Sequence, residues 1–343
     1  MDETDNRLLD TIQDDFPLID EPFHKLASLL NISSDDVIMR LQRLKSDGII
    51  RRIGAIFDSK KLGYFSTLCA MKVPPHRVGE VAKIVNGYTG VTHNYIRGSR
   101  HKLFETKSLS KKLCGYIDFI PYNMWFTITA RSQQELEKVI AEIKENSGIG
   151  ELMELPAVRM FKIRVRFPMS ELKSPVSSLK SQVSSLTLTE VEKSIIREIQ
   201  GDIPLYRPFE TIAGKLGIEV EELLERIQRM KAQGTIRRFG AIVRHRNLGF
   251  RANAMGVWAA PDNRAEEVGV KMAAFPQVSH CYQRPIRPGW PYNLFTMIHG
   301  KSAGECEKTA KLISETIGIK DYCLLYSTRE LKKASMKYFT EGD

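Results

Sequence analysis

Lys45–Phe65, KSDGIIRRIGAIFDSKKLGYF, returns in altered form as Lys231–Phe250, KAQGTIRRFGAIVRHRNLGF. A second pair, IQDDFPL over residues 12–18 and IQGDIPL over residues 199–205, recurs at nearly the same separation. Self-similarity at one long spacing marks a duplicated unit, so the 343 residues read as two copies of one plan. Working outward from the repeat, each copy is preceded by helical periodicity. Leu8, Leu9 and Ile12 share one face of a helix over residues 5–15, and Ile195, Ile196 and Ile199 do the same over residues 189–201. Two more helices follow in each copy, over residues 23–48 and 208–234. Ser33 or Ser34 serves as N-cap and Gly48 as stop in the first copy, and Gly217 stands at the turn in the second. That layout is a helix-turn-helix or winged-helix unit, present twice.

Downstream of each unit the period changes. TLCAMKV (residues 67–73) and ANAMGVWAA (252–260) suit strands. They are followed by helices over residues 77–86 and 264–274, a strand at a His motif, a strand at MWFTITA or LFTMIHG, helices over 133–146 and 303–316, and a last strand. The order is βαββαβ, the ferredoxin-like plan. The expected fold class is therefore α+β, with two tandem repeats of a helix-turn-helix unit and a ferredoxin-like domain. Boundaries fall at residues 1–63 and 64–167 for the first repeat, with an insertion at 98–120, and at 189–249 and 250–343 for the second. Between them residues 168–188 are rich in Ser. Leu172, Val176, Leu179, Val183 and Leu186 keep heptad-like spacing there, but two heptads containing Pro175 make a poor coiled coil, and a tether is expected.

Composition narrows the class. An apolar fraction of 42% is ordinary for a globular protein, and no run of apolar residues is long enough to span a bilayer. The acidic start MDETDNRLLD lacks a secretory layout, so a cytoplasmic protein without membrane partners is expected. Cys69, Cys114, Cys281, Cys306 and Cys323 form no CxxC pair and read as reduced thiols. A net charge of +10 favours a polyanionic partner, either nucleic acid or a ligand with many acid groups. The helix-turn-helix units argue against the first choice. Where a recognition helix meets phosphates, these chains carry Ser34, Asp35 and Asp36, or Glu219, Glu221 and Glu222, and carboxylates oppose the term that dominates DNA affinity. The basic residues follow the helices instead: Arg51, Arg52, Arg237 and Arg238 inside the recurring IRR-x-GAI, and Arg244, His245 and Arg246 just after its second copy.

The polar aromatic cluster is duplicated as well. SHCYQRPIRPGWPYNLFTMIHG occupies residues 279–300, and THNYIR (92–97) with PYN (121–123) matches its parts. His280 and His299 have no acidic companion and no metal-ligand spacing, and neither a phosphate loop nor a GxSxG turn is present. What remains is Arg for carboxylates, Trp and Tyr for flat faces, and His for moving a proton or ligating iron. A flat, carboxylate-rich metallated tetrapyrrole would use all of them.

IRRFGAIVRHRNLGF, SHCYQRP, WPYNLFTMIHG and YSTRELKKASMKYF resemble the siroheme decarboxylase branch of the Lrp/AsnC superfamily, and THNYIR with YNMWFTITA resembles its companion subunit. The resemblance covers most of the chain and implies the two subunits fused, companion half first. It implies a carboxy-lyase that non-oxidatively removes the C12 and C18 acetate carboxyls of siroheme, giving 12,18-didecarboxysiroheme for haem or haem d1 biosynthesis. Siroheme and its didecarboxylated product are then the ligands, the iron is the substrate's, no further cofactor is expected, and the two halves form a pseudo-dimer, with homo-oligomers left open. His280 and Tyr282 are expected to handle the proton, with His280 also able to contact the iron, and Arg284 to face a carboxylate. Arg237, Arg238, His245 and Arg246 are expected to hold carboxylates. Trp290, Tyr292 and Asn293 would line the flat face, with His299 behind. The matching first-half residues are His93, Tyr95, Arg97, Arg51 and Arg52. The first half departs from the pattern where residues 98–120 intervene and Ile120–Pro121 replaces an expected His, which places the main site in the second half. The alternative is an Lrp/AsnC-type DNA-binding regulator that answers to a small ligand.

Overall fold

A computed structural model describes residues 1–98, 122–163, 188–244 and 252–340. They divide into two compact units: residues 1–63, 188–244 and 337–340 form the first, and 64–98, 122–163 and 252–336 form the second. Both helix-turn-helix copies thus share one unit and both ferredoxin-like copies share the other. The Ser-rich segment, the insertion, His245, Arg246 and Cys114 lie outside the described residues.

In the first unit, α1 (Glu3–Asp14), α2 (Pro22–Leu30) and α3 (Ser34–Ser46) lead into strand β1 (Ile50–Phe57). The second copy gives α6 (Glu190–Ile199), α7 (Pro208–Leu216), α8 (Val220–Ala232) and β7 (Ile236–Val243). Asp2 and Thr189 open α1 and α6 with capping boxes, and Ser33 caps α3 through its bond from the Asp36 amide. Gly217 ends α7 in the left-handed conformation, φ 65°. The acid at the third helical position is tied to the last helix of each unit: Asp5, fully buried, meets Arg43 at 2.6 Å, and Glu192 meets Arg229 at 3.1 Å.

Strands β1 and β7 pair antiparallel with Gly54 opposite Gly240. A Cβ on Gly54 would lie 2.3 Å from the Gly201 carbonyl oxygen, and one on Gly240 would lie 2.3 Å from that of Ile12. Each glycine therefore admits the end of the other copy's first helix. This close approach gives the recurring GAI a structural reason, because no larger residue leaves room for that backbone.

The second unit holds β2 (Phe65–Met71), α4 (Val78–Gly87), β3 (Val91–Gly98), β4 (Met124–Ala130), α5 (Gln133–Ser147), β5 (Leu152–Pro156) and β6 (Arg159–Ile163) from the first half. From the second half come β8 (Ala252–Trp258), α9 (Ala265–Ala274), β9 (Val278–Gln283), β10 (Leu294–Gly300), α10 (Ala303–Ile317) and β11 (Tyr322–Lys333). All nine strands join one sheet in the order β5-β2-β4-β3-β11-β8-β10-β9-β6. The crossovers exchange tails. β11 pairs with β8 through Tyr322–Tyr326 and then with β3 as far as Lys333 opposite His93. Reciprocally β6 leaves its own half and pairs with β9, Ile163 opposite His280.

On one face of the sheet α4 and α5, and separately α9 and α10, cover two apolar clusters. A third cluster mixes the halves on the other face: Ala70, Trp125, Met153 and Leu155 pack with Met255, Val257, Trp290, Phe295 and Leu325. Fully burying one such large side chain contributes about 1.5–3 kcal/mol, so the halves of this unit share their core. The exchanged tails also cap helices. Lys332 donates to the carbonyls of Asn86 and Tyr88 at the end of α4, and Lys162 donates to that of Phe275 at the end of α9.

Candidate active site

Strand periodicity puts residues two apart on one face, so the spacing His-x-Tyr-x-Arg makes a single row. On β9 the ring of His280 stacks on Tyr282 with centroids 6.3 Å apart and planes 24° apart. The Arg284 guanidinium then lies 5.0 Å from the Tyr282 ring centre and 5.5 Å from that of Phe295. On β3 the row recurs: His93 stacks on Tyr95 at 6.3 Å and 27°, with Arg97 at 5.1 Å from the Tyr95 ring. Duplication in the sequence is thus duplication of side-chain geometry.

Each arginine reaches across to the other half. Arg97 donates to the Leu325 carbonyl at 3.5 Å, and Arg284 donates to that of Leu155. Burial pushes both guanidinium pKa values down to about 10, against the opposing pull of Tyr95 and Tyr282. In this arrangement Arg284 ties main chain, and its Nε is buried without a hydrogen-bond partner.

The histidines differ in what stands behind them. A register shift between Met297 and Ile298 turns the neighbouring Ser279 of β9 toward β10. Its hydroxyl lies 2.8 Å from Nδ1 of His280 and 2.7 Å from Nε2 of His299, so one oxygen links two imidazoles. In the first half Thr92 takes the same place, 3.0 Å from Nδ1 of His93 and 3.0 Å from the Thr127 hydroxyl. Thr129, which matches His299, contacts Ser66 at 3.3 Å.

The remaining expected residues have structural surroundings. Trp290, 2% exposed, sits among Tyr122, Trp125, Tyr292 and Phe295 in the shared core. It closes the turn Arg287–Pro288–Gly289–Trp290, in which Gly289 has φ 72°. Asn293 brackets Ala260, accepting from its amide at 3.0 Å and donating to its carbonyl at 2.9 Å. Asn123 holds Val73 in the same way. Arg51, Arg52, Arg237 and Arg238 belong to the first unit, on β1 and β7. There Arg52 donates to the carbonyls of Ala55 and Gly201, and burial beside Arg51 lowers its pKa to about 10. Arg237 pairs with Asp58 at 2.9 Å. The structure therefore brings together His280, Tyr282, Arg284 and His299 in one half and His93, Tyr95 and Arg97 in the other.

Comparison with known proteins decides the family. Residues 5–51 and 192–237 match the siroheme decarboxylase NirDL-like HTH domain, and residues 61–162 and 247–332 match the AsnC-like ligand binding domain. A siroheme decarboxylase of Hydrogenobacter thermophilus is 39% identical over 338 residues, 98% of this chain and 95% of that protein. The chain belongs to the siroheme decarboxylase family. It is a carboxy-lyase of the NirDL type, with both homologous repeats in one chain. A crystal structure of the siroheme decarboxylase NirDL superimposes with a TM-score of 0.73 at 36% identity, covering 99% of this chain and 95% of that one. A second, of NirDL in complex with an iron-uroporphyrin III analogue, gives 0.71 at 35% identity with the same coverage.

Within this siroheme decarboxylase, sequence reasoning passed over Ser279. A serine beside a histidine carries no periodic signal, and only the register shift in β9 aims it at a second ring. Among the described residues no group of three His, Cys, Asp or Glu is placed to hold a metal. Nor is any described helix long and apolar enough to cross a membrane. Cys69, Cys281, Cys306 and Cys323 are buried.

Proposed function

We propose that the chain removes the C12 and C18 acetate carboxyls of siroheme without oxidation, yielding 12,18-didecarboxysiroheme for haem or haem d1 biosynthesis, with His280 supplying the proton. Loss of carbon dioxide leaves an electron pair on the acetate methylene, which the macrocycle delocalises until a proton arrives. A positioned acid with a pKa near neutrality suits that step, and imidazole is the side chain that has one. The observation that carries the reading is the link from His280 through Ser279 to His299; among the described residues the matching first-half positions are His93, Thr92 and Thr129. Stacking on Tyr282 holds the His280 ring in place, and Arg284 fixes the strand that bears both. His93, Tyr95 and Arg97 form the matching row, whose histidine meets the Thr92 hydroxyl.

Anaerobic incubation of the purified protein with siroheme should lower the tetrapyrrole mass by two carbon dioxide units. The His280→Ala variant should retain the absorbance change on siroheme binding while kcat falls by about 10²–10⁴. Recovery of siroheme unchanged by the wild-type protein would refute the assignment. The two helix-turn-helix units favour one other reading, a regulator that binds DNA. Asp35, Asp36, Glu221 and Glu222 in the first turns of α3 and α8 weigh against it. Sequence-selective DNA retention that weakens steeply with added salt would favour the regulator instead.

A further inference from the structure

We infer that Ser279 and His299 form a proton relay behind His280, with His299 as the store from which the proton consumed by decarboxylation is drawn. The inference rests on the reading of His280 as donor and adds two positioning residues that need not touch the substrate. Its ground is geometric. The Ser279 hydroxyl, on a residue only 6% exposed, stands within hydrogen-bond distance of a nitrogen on each ring, 2.8 Å and 2.7 Å. A hydroxyl has one proton to give, so if it donates to one imidazole the other must donate to it. Two arrangements pass a proton between the rings and differ by a shift of protons along the line; the Met297 carbonyl, 3.4 Å from the same hydroxyl, competes for its proton.

Cleavage of the bond to the carboxylate carbon releases carbon dioxide and leaves its electron pair on the methylene, which takes the Nε2 proton of His280. Nδ1 of His280 takes the Ser279 hydroxyl proton, and Oγ takes the Nε2 proton of His299. His299, entering as imidazolium, ends neutral, so the negative charge of the carbanion is cancelled and no oxidant or reductant takes part. The reverse shift, driven by proton uptake once product has left, resets the line.

An open depression lies one residue away from His299, whose own Nδ1 is covered. The cross-strand partner of His299 is Asn253, which with Lys301, Tyr326 and Ser327 lines this depression of about 250 Å³. That volume falls below the roughly 300–1,000 Å³ usual for a ligand pocket and admits several waters. The first half supplies an internal comparison. There the Thr92 hydroxyl beside His93 meets the hydroxyl of Thr127, which neither stores nor releases a proton near neutrality, and Thr129 stands where His299 does.

The test uses the full chain with siroheme under anaerobic conditions and three variants, Ser279→Ala, Ser279→Thr and His299→Thr. The last two install the residues found at the matching first-half positions. Ser279→Ala and His299→Thr should each lose on the order of 100-fold in kcat with KM unchanged. Ser279→Thr, which keeps the hydroxyl, should recover most of the rate, and the solvent deuterium isotope effect on kcat should rise in Ser279→Ala. Thermal unfolding midpoints matching the wild type identify the loss as chemical; His299→Gln is the second variant should His299→Thr fail to fold. Wild-type kcat in Ser279→Ala and His299→Thr, or a Ser279→Thr as slow as Ser279→Ala, overturns the relay. Absence of turnover in the wild type overturns the decarboxylase reading as well, so the two failures are told apart.

Discussion

Arg237 and Asp58 meet at 2.9 Å with side chains only 20% and 9% exposed. Replacing Arg237 with Ala leaves a mostly covered carboxylate without its cation, and such a removal costs on the order of 3 kcal/mol. The expected outcome is a lower urea midpoint, partly restored by Arg237→Lys, and an unchanged midpoint would show the pair to be dispensable. The buried thiols predict a pH effect with a definite sign. Burial raises Cys281 to about 12 and Cys306 to about 11, and raises Cys69 further. A thiol whose folded pKa is raised contributes stability below its unfolded value of about 8.5 and loses it as pH climbs from there toward the folded value. Arg52, Arg97 and Arg284, lowered to about 10, act with the opposite sign only above that pH. Below that pH the raised thiols are opposed by Lys332, whose pKa burial lowers, and the urea midpoint should fall between about pH 8.5 and 10 and fall less steeply in Cys281→Ala.

Among the elements, β1 and β7 are held close to the helix ends beside them. With a carbonyl oxygen 2.3 Å from any Cβ at position 240, Gly240→Ala forces the strand away from the end of α1. The variant should lose about 1–3 kcal/mol by overpacking, measurable by chemical denaturation, whereas an alanine at Gly304, with nothing closer than 3.8 Å, should cost less. The helices and the βαββαβ order were legible in the sequence, because apolar period and caps are local signals. The expected helix over 133–146 ends one residue later in the structure, at Ser147, and the one over 303–316 ends at Ile317. Less was legible of the site. His-x-Tyr-x-Arg was readable as one face of a strand, but the contacts of Asn293 with Ala260 and of Trp290 with Trp125 were not, since both join residues far apart in the chain. The exchange of β6 and β11 was equally hidden, because pairing partners depend on neighbours far away in the chain.

For the whole molecule the crossed tails predict how a cut chain behaves. In the second unit β6 belongs by sequence to the first half and by hydrogen bonding to the second, and β11 does the converse. A specific protease site introduced within residues 168–187 should yield two fragments that still elute together in size-exclusion chromatography and retain decarboxylation. Either half expressed alone leaves an open strand edge at β3 or β9 and should aggregate or self-pair. Fragments that separate on cleavage would show that the exchanged strands do not hold the halves together.

The unlike surroundings of His93 and His280 give covalent fusion a further meaning. In a symmetric homodimer, any change that equips one copy must appear in the other. Joined end to end, each copy always meets its counterpart in equal amount, so one can keep a threonine at Thr129 while the other acquires an imidazole at His299. Fusion thus permits the two copies to diverge at a single matched position, which identical subunits cannot do.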